Sequence, residues 1–229
     1  MNSALILTLI LAAYFLGACP NGLLVARTRG IDIRAVGSGN IGATNVFRSV
    51  GTVLGLVVFI LDALKGFVPA YVFPLAAAHT IEPSFASESL GLLFGIAAIA
   101  GHTWPIYLNF KGGKGVATCA GVLIGVSPPL AGIGVLAWLV IFVTTRYVSI
   151  GSMGAALIVA GFSWLRHREG HVTLPIVMSI LAILVIWRHH TNIRRLILGT
   201  ESRFSFHRNK NTVDTSAHTE RSKHGDRSQ

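Results

Sequence analysis

The stretch "GTVLGLVVFILDALKGFVPAYVFPLAAA", residues 51–78, decides the fold class of this chain. It is almost wholly apolar, and its only charged side chains are Asp62 and Lys65. An α-helix needs roughly 20 mostly apolar residues to cross the hydrocarbon core of a bilayer. Since the stretch is longer than this, we predict that residues 51–78 form a transmembrane helix.

The rest of the chain repeats this pattern. Of its 229 residues 52% are hydrophobic and 12% are charged, whereas a soluble domain has about 25% charged residues. Apolar blocks cover seven ranges: 4–26, 51–78, 89–108, 114–126, 129–145, 148–165 and 172–187. "SPP" at 127–129 divides the fourth block from the fifth, because two prolines predict a turn or break. We therefore predict an all-α integral membrane protein with seven transmembrane helices, formed by a domain of residues 1–203.

The first block also has to be compared with a cleaved leader. "LGAC" at residues 16–19 resembles a lipoprotein cleavage box, but no basic residue precedes the apolar run. A secretory leader begins with a positively charged region. We therefore expect the first block to be retained as a transmembrane helix.

Loop charges predict the orientation, since Lys and Arg concentrate on the cytoplasmic side of membranes. Loop 27–50 carries four arginines, whereas loop 79–88 carries Glu82 and Glu88 and neither Lys nor Arg. This places the N-terminus outside and the C-terminus in the cytoplasm. The segment "RHREG" at 166–170 disagrees, because it would face outward with two arginines. A six-helix alternative would correct that loop but would export the basic C-terminal tail.

That tail, residues 204–229, is hydrophilic and has few apolar residues after Phe206. Such a composition cannot bury a core, so we predict that the tail is disordered. Nine of the 19 Lys and Arg residues lie at or beyond Arg188. This basic end suits an anionic membrane surface better than nucleic acid, and no nucleic-acid partner is predicted.

Under this orientation four polar segments face the cytoplasm. They are "GSGNIGATNVFR" (37–48), "NFKGGKGVAT" (109–118), "TRYVSIGSM" (145–153) and "HHTNIRRLILGTE" (189–201). Because alternating helices return these segments to one membrane boundary, we predict that the polar loops converge on a single site at the cytoplasmic face.

The first segment matches G-x-G-x-x-G but is not a dinucleotide-binding loop. No strand precedes it, and the acidic residue expected further on, Asp62, lies in an apolar helix. Glycine N–H groups and the Arg48 guanidinium still suit a phosphate. Neutral donors stand at four positions: Ser38, Asn40, Thr44 and Asn45. The alternative is a flexible interfacial loop with one arginine that reaches the headgroups.

The second segment offers the same chemistry with lysine. It is not a Walker A loop, because Gly115 follows Lys114 where Ser or Thr is required. Gly112, Gly113 and Gly115 permit close approach of the backbone to an anion, and Lys114 could meet a phosphate near a helix N-terminus. The alternative is a pair of interfacial lysines without a substrate. Just before this segment, we expect His102 to hold the loop through a hydrogen bond.

The last segment places His189 and Asn192 three residues apart, so they share a face if the helix continues. His190 then points elsewhere. Arg194 and Arg195 suit lipid headgroups, and Glu201 could orient an arginine. Within residues 51–78, Asp62 and Lys65 are also three apart and predict a structural ion pair, since charges inside membranes are usually paired.

Three segments in this order resemble the PlsY family of bacterial acyl-phosphate:glycerol-3-phosphate acyltransferases. They are "GSGNIGATNVFR", "GHTWPIYLNFKGGKGVAT" (101–118) and "HHTNIRRLILGTE", while "TRYVSIGSM" matches more loosely. The resemblance covers about residues 1–203. It implies a multi-pass protein of the bacterial cell inner (cytoplasmic) membrane, with seven transmembrane helices and a cytoplasmic active site.

The resemblance implies transfer of a fatty acyl group from acyl phosphate to the 1-hydroxyl of sn-glycerol 3-phosphate. The product is lysophosphatidic acid, the first step of phospholipid synthesis. The matching catalytic positions are Ser38, Arg48, Lys114, His189 and Asn192. Gly112 and Gly113 match the glycerol-phosphate loop, and we add Asn40, Thr44, Asn45 and Gly115 as substrate-binding residues. The expected partners are the two substrates, the lipid bilayer and, potentially, other phospholipid-synthesis enzymes; no metal or cofactor is predicted.

The residues favour a reaction without a covalent acyl-enzyme. An acyl phosphate is already activated, so phosphate binding and alignment of the acceptor hydroxyl can supply much of the acceleration. We expect a substrate phosphate oxygen to take the proton. The rival mechanism uses His189 as general base or Ser38 as nucleophile. One competing function is a transporter for a phosphorylated solute, but it predicts access from both faces and binding groups near the midplane, whereas these groups cluster at one boundary. The other, a non-catalytic membrane scaffold, leaves the glycine-rich loops unexplained.

Overall fold

The computed structural model describes residues 3–78, 87–166 and 172–204. Over these residues the regular structure is helical. The α-helices are α1 Ser3–Ala18, α2 Asn21–Arg27, α3 Ala43–Ser49, α4 Thr52–Phe67, α5 Phe73–Ala77, α6 Ser87–Thr103, α7 Val116–Val126, α8 Pro128–Thr145, α9 Val148–Arg166, α10 Thr173–Arg188 and α11 His190–Ile197. A π-helical turn, Val68–Val72, joins α4 to α5, and a 3₁₀ turn, Ile106–Leu108, follows α6.

Five stretches of the described residues are long and apolar enough to cross a membrane. They are Ser3–Arg27, Thr52–Ala77, Glu88–Leu108, Pro128–Thr145 and Val148–Arg166. Helices α10 and α11 add a sixth if the pair, which bends by 55°, counts as one span. Helix α7 is apolar but has only 11 residues. The prediction of an all-α integral membrane protein is therefore confirmed, with five or six spans by length and composition.

The predicted break at "SPP" is confirmed. Helix α7 ends at Val126 and α8 begins at Pro128, with Ser127 between them. Both prolines occupy the first turn of α8, where their missing N–H groups would have no helical acceptor in any case. The two prolines thus end one helix and start the next without leaving a donor unpaired.

The first apolar block is not one continuous helix. It divides at Cys19 and Pro20 into α1 and α2, because Pro20 has no N–H group and cannot continue the helical hydrogen bonds. The carbonyl of Cys19 instead accepts a hydrogen bond from the Lys65 ammonium at 2.8 Å. The break therefore presents a backbone acceptor to a buried charge on α4.

The predicted ion pair within α4 is confirmed. Asp62 Oδ1 and Lys65 Nζ are 2.9 Å apart, and each side chain is only 4% exposed. Each charge has a second partner from the first block, since Lys65 donates to the Cys19 carbonyl and Asn21 Nδ2 donates to Asp62 Oδ1 at 3.0 Å. The pair therefore fastens α4 to the junction between α1 and α2.

Helix pairs approach closely through glycine. Helix α1 packs on α6 and α4 packs on α7, while α9 contacts both α8 and α10. A Cβ added to Gly101 would lie 2.1 Å from the Tyr14 carbonyl oxygen, and one added to Gly121 would lie 1.8 Å from that of Ala63. Small residues let backbones meet where lipid offers no hydrophobic driving force between helices.

Three sequence predictions fall largely outside the described residues. The loop 79–88 is described only from Ser87, the segment 166–170 only at Arg166, and the tail 204–229 only at Phe204. The outward placement of the first two and the predicted disorder of the tail therefore stay predictions.

We expect Asp62→Asn to destabilise the protein by about 3–5 kcal/mol, because it leaves the Lys65 ammonium buried without its counter-ion. The free energy of unfolding in detergent measures this loss. Leu64→Ala is a matched control on α4, since Leu64 is 46% exposed. An Asp62→Asn protein as stable as the control would contradict a structural role for the pair.

Candidate active site

One buried side chain, Asn45, organises the loop between α2 and α3. Its Nδ2 lies within hydrogen-bonding distance of three loop carbonyl oxygens: those of Ile33 at 3.0 Å, Val36 at 3.0 Å and Asn40 at 2.9 Å. Its Oδ1 accepts the backbone N–H of Ser38 at 3.0 Å. A Cβ on Gly37, whose φ is 59°, would lie 2.3 Å from that oxygen. The Asn45 amide is thus used inside the loop, and what the loop presents is Ser38.

A cavity of about 190 Å³ brings three of the four predicted segments together. Its lining residues are Ser38, Gly39, Asn40, Lys114, Arg188, His190, Thr191 and Arg195. Three of these residues are cationic and none is acidic. A concave basic surface of this kind suits a phosphate group, because Lys and Arg bind phosphate oxygens through charge-assisted hydrogen bonds.

Lys114 is held by a neutral partner. Its ammonium donates a hydrogen bond to Asn192 Oδ1, and Asn192 Nδ2 donates to Glu201 Oε1 at 2.7 Å. Burial lowers the pKa of Lys114 to about 8; Glu201 opposes this effect, and nearby Arg195 and Arg48 add to it. The lysine is therefore oriented by an amide that leaves its positive charge unpaired.

Glu201 is the acid of this cluster, and both its oxygens are occupied. Oε1 also accepts the Ser149 hydroxyl at 2.9 Å, and Oε2 accepts Arg195 Nε at 2.7 Å. Burial raises the pKa of Glu201, but the hydrogen bonds from Arg195, Asn192 and Ser149 outweigh it and hold the pKa below its usual value. The expectation that Glu201 orients an arginine is confirmed, and Arg195 is that arginine rather than a headgroup contact.

In the glycine loop, Gly112–Gly113, the backbone N–H groups point towards the end of α6. Gly112 donates to the Thr103 carbonyl at 3.2 Å, and Gly113 donates to the His102 carbonyl at 3.1 Å. A Cβ on Gly113 would lie 2.2 Å from His102 Nε2. Glycine is therefore required here because the loop lies against the end of α6. His102 does hold this loop, as expected, but through its backbone carbonyl.

Arg188 is a site residue that the sequence patterns did not indicate. Its Nη2 donates to the carbonyls of Gly112 and Gly113, each at 2.9 Å. It also lines the cavity beside Lys114. The one sequence feature that could have indicated Arg188 is its position directly before His189, at the start of a predicted site segment. Ser149 was likewise missed, because it lies in the loosely matching segment 145–153.

Of the two neighbouring histidines, His190 lines the cavity and His189 does not, which is the reverse of the prediction. His189 lies at the bend between α10 and α11, only 3% exposed, with Nδ1 2.7 Å from the Val185 carbonyl oxygen. Because a carbonyl can only accept, Nδ1 carries the hydrogen. His190, expected to point elsewhere, is exposed and lines the cavity. His189 and Asn192 are both buried at the bend, and neither lines the cavity.

Arg48 approaches the cluster from α3. Its Nη2 donates to the Ser202 carbonyl at 3.0 Å, and the guanidinium lies close enough to lower the pKa of Lys114.

Thr44 is exposed on the same helix, α3, and lines neither of the two cavities. Gly115, with φ of 79°, is the turn residue before α7. Arg48 and Gly115 line neither cavity either.

A second cavity of about 420 Å³ adjoins the first. It shares Gly39, Asn40 and Arg188 with it, and its other lining residues are Arg34, Ile41, Phe110, Lys111 and Gly112. Here cations lie beside two apolar side chains, the exposed Phe110 and the buried Ile41. The two cavities together could take two phosphate-bearing molecules, of which one also carries apolar surface.

Comparison with known proteins points to one family. The model of the glycerol-3-phosphate acyltransferase family matches residues 7–199. A glycerol-3-phosphate acyltransferase of Geotalea daltonii is 47% identical over 203 residues, covering 86% of this chain and 97% of that protein. The enzyme of the same name from Aquifex aeolicus is 43% identical over 199 residues, covering 86% of this chain and 98% of its own length.

Two solved structures are also similar. The crystal structure of PlsY (YgiH), an integral membrane glycerol 3-phosphate acyltransferase, in its glycerol 3-phosphate form has a TM-score of 0.78 and 42% identity. The match covers 87% of this chain and 96% of the chain in that structure. The lysophosphatidic acid form has a TM-score of 0.75 and 40% identity, with coverages of 87% and 95%.

We expect Gly113→Ala to lower the stability of the protein by about 1–3 kcal/mol, as overpacking does, and to weaken phosphate binding. The added Cβ would displace the loop that carries Lys114. Thermal unfolding and the affinity for inorganic phosphate measure the two effects. Gly132→Ala is the control, since its Cβ would meet nothing within 4 Å. Identical behaviour of the two variants would contradict this account of the loop.

Proposed function

This chain belongs to the glycerol-3-phosphate acyltransferase family, and we propose from this premise how its site carries the reaction. The protein is an integral membrane enzyme of phospholipid synthesis that transfers a fatty acyl group to glycerol 3-phosphate and forms lysophosphatidic acid. The donor is acyl phosphate. The observation that carries this assignment is the pair of adjoining basic cavities. Each can bind the phosphate of one substrate, and the larger one also has apolar side chains for an acyl chain.

The smaller cavity takes a substrate phosphate. Lys114 supplies unpaired positive charge at its wall, and Arg195, which is paired with Glu201, lines it as well. Ser38 supplies a hydroxyl from the loop that Asn45 fixes. Arg48 lines neither cavity but lies near Lys114 on the side of α3, from where its guanidinium offsets charge on the leaving phosphate. Asn192 acts by orienting Lys114 and is itself held by Glu201. The larger cavity, with Phe110 and Ile41 beside Lys111, suits the phosphate that carries an acyl chain.

The reaction is a direct transfer. The 1-hydroxyl oxygen of glycerol 3-phosphate attacks the acyl carbonyl carbon, and the bond from that carbon to the phosphate oxygen breaks. The hydroxyl proton passes to a substrate phosphate oxygen, so inorganic phosphate leaves with the bonding electron pair. Binding both phosphates brings the hydroxyl and the carbonyl within reacting distance. In well-oriented systems such positioning lowers the activation free energy by about 7–11 kcal/mol.

The described residues support this route over a protein base. Both oxygens of Glu201 are occupied, and His189, the base of the rival mechanism, is buried and lines neither cavity. Ser38 makes its hydrogen bonds with Asn45 and Asn40 and none with a histidine among the described residues. A serine without a base is a weak nucleophile.

We extend the proposal to the membrane topology: seven spans, with the N-terminus outside and the site at the cytoplasmic face of the bacterial inner membrane. Supporting this, site residues lie just before α7, at the start of α9 and at the end of α10. Alternating spans return these ends to one side, provided that the short helix α7 crosses. Both phosphorylated substrates are then met from the cytoplasm. Partner enzymes of phospholipid synthesis stay a prediction.

One assay tests the function: purified protein, palmitoyl phosphate and labelled glycerol 3-phosphate, with lysophosphatidate as the expected product. In the free enzyme kcat/KM for glycerol 3-phosphate should fall as pH rises through about 8, since the Lys114 ammonium then loses its proton. The substrate phosphate is fully ionised well below this pH, its second pKa being about 6.

Lys114→Arg is the matched control for that pH profile. Its guanidinium stays charged, so the fall near pH 8 should be absent from the residual activity. An unchanged fall in this variant would assign the titration to another group. No lysophosphatidate from the wild-type protein, or an acyl group trapped on Ser38, would overturn the proposed reaction.

The topology is tested by reporter fusions after Phe204. A fluorescent protein that matures only in the cytoplasm should be bright there, and alkaline phosphatase, which is active only outside, should be inactive. An active phosphatase fusion would reverse the proposed orientation of the C-terminus.

A further inference from the structure

The segment that follows α11 is bound to three other parts of the site. Gly199, at a φ of 68°, ends the helix, and the N–H groups of Thr200 and Glu201 then donate to the Arg195 carbonyl. The chain continues through Ser202 to Phe204, just past the residues that match the family model. We call residues Glu201–Phe204 the strap.

The first anchor of the strap is Glu201. Its carboxylate joins Asn192 and Arg195 from α11 to Ser149 from the start of α9. Its side chain is 5% exposed, so the strap begins from a fixed point. Because Arg195 already satisfies this carboxylate, the acid does not form an ion pair with Arg48 among the described residues.

The last anchor is Phe204. Its backbone N–H donates to the Arg146 carbonyl at 2.9 Å, where α8 ends. Its ring centroid lies 5.7 Å from that of Phe47 and 5.4 Å from that of Phe142. Aromatic pairs at these distances contribute beyond their buried area. Since Phe47 directly precedes Arg48, this ring fixes α3 at the residue beside the guanidinium.

Between the two anchors, the Ser202 carbonyl accepts the 3.0 Å hydrogen bond from Arg48 Nη2. A carbonyl oxygen orients a guanidinium but does not neutralise it, and the remaining N–H donors stay available for a phosphate. We propose that the strap sets the position of Arg48 and that Phe204 is, through it, a positioning residue for acyl transfer. This inference rests on the proposed role of Arg48.

A double-mutant cycle tests the proposal in the full chain. Phe204→Ala should lower kcat/KM for glycerol 3-phosphate roughly tenfold, less than the ~100-fold that a 1 Å misplacement can cost. Arg48→Lys keeps the charge but loses the fork that binds Ser202. In that background Phe204→Ala should cost at most about twofold, because contacting residues in one network are not additive.

Phe59→Ala is the matched control, an aromatic truncation on α4 at a side chain that is 45% exposed. It should leave kcat/KM unchanged in both backgrounds. If Phe204→Ala does not fold, Phe204→Leu replaces it, since leucine keeps apolar volume but removes the ring contacts. Affinity for labelled glycerol 3-phosphate is measured in parallel on every variant, and the same non-additive pattern is expected.

The outcomes separate the two levels of inference. Wild-type activity in Phe204→Ala, or losses that multiply with Arg48→Lys, would overturn the strap while leaving the proposed function intact. A wild type that binds glycerol 3-phosphate but forms no product would overturn the function, and the strap is then judged by the affinities alone. A wild type without affinity would overturn both.

Discussion

A charge inside a bilayer must be paired, and the fold is arranged around one such pair. Asp62 and Lys65 neutralise each other on α4, but each also binds the junction of α1 and α2. The break in the first span is thereby stabilised, because the Cys19 carbonyl, which also accepts the Asn21 N–H, meets an ammonium. His102 at the end of α6 has its Nδ1 4.0 Å from Asp62, without a hydrogen bond to it, while its backbone carbonyl accepts the N–H of Gly113. The buried pair thus fixes α4 against the junction of α1 and α2.

The site itself follows from a second electrostatic rule, that an anion site must not hold a competing carboxylate. Glu201 satisfies Arg195 and is occupied at both oxygens, while neutral groups orient the other cations. An amide positions Lys114, and backbone carbonyls position Arg48 and Arg188. Orientation without neutralisation leaves the positive charge available to incoming phosphates. The same acid that fixes the geometry is in this way removed from competition with the substrates.

Local signals in the sequence were sufficient for much of this, and long-range contacts account for the rest. Apolar block length predicted the helices, paired prolines the break at Ser127, and spacing the ion pair of α4. Local signals do not predict where a polar group points. Nothing in the neighbouring sequence shows that the Asn45 amide turns into its own loop or that the Gly112 and Gly113 N–H groups face α6. Arg188 escaped notice because its acceptors lie some seventy-five positions earlier in the chain, and sequence spacing carries no information at that range.

The placement of these contacts along the chain has a consequence for biosynthesis. Arg48 emerges early from the ribosome and Lys114 midway, yet their partners Ser202 and Asn192 follow much later in the chain, as does Glu201, which holds Asn192. A nascent or prematurely terminated chain can therefore insert most of its spans without a finished phosphate site. Synthesis must therefore pass Ser202 before the contacts of Lys114 and Arg48 can all form.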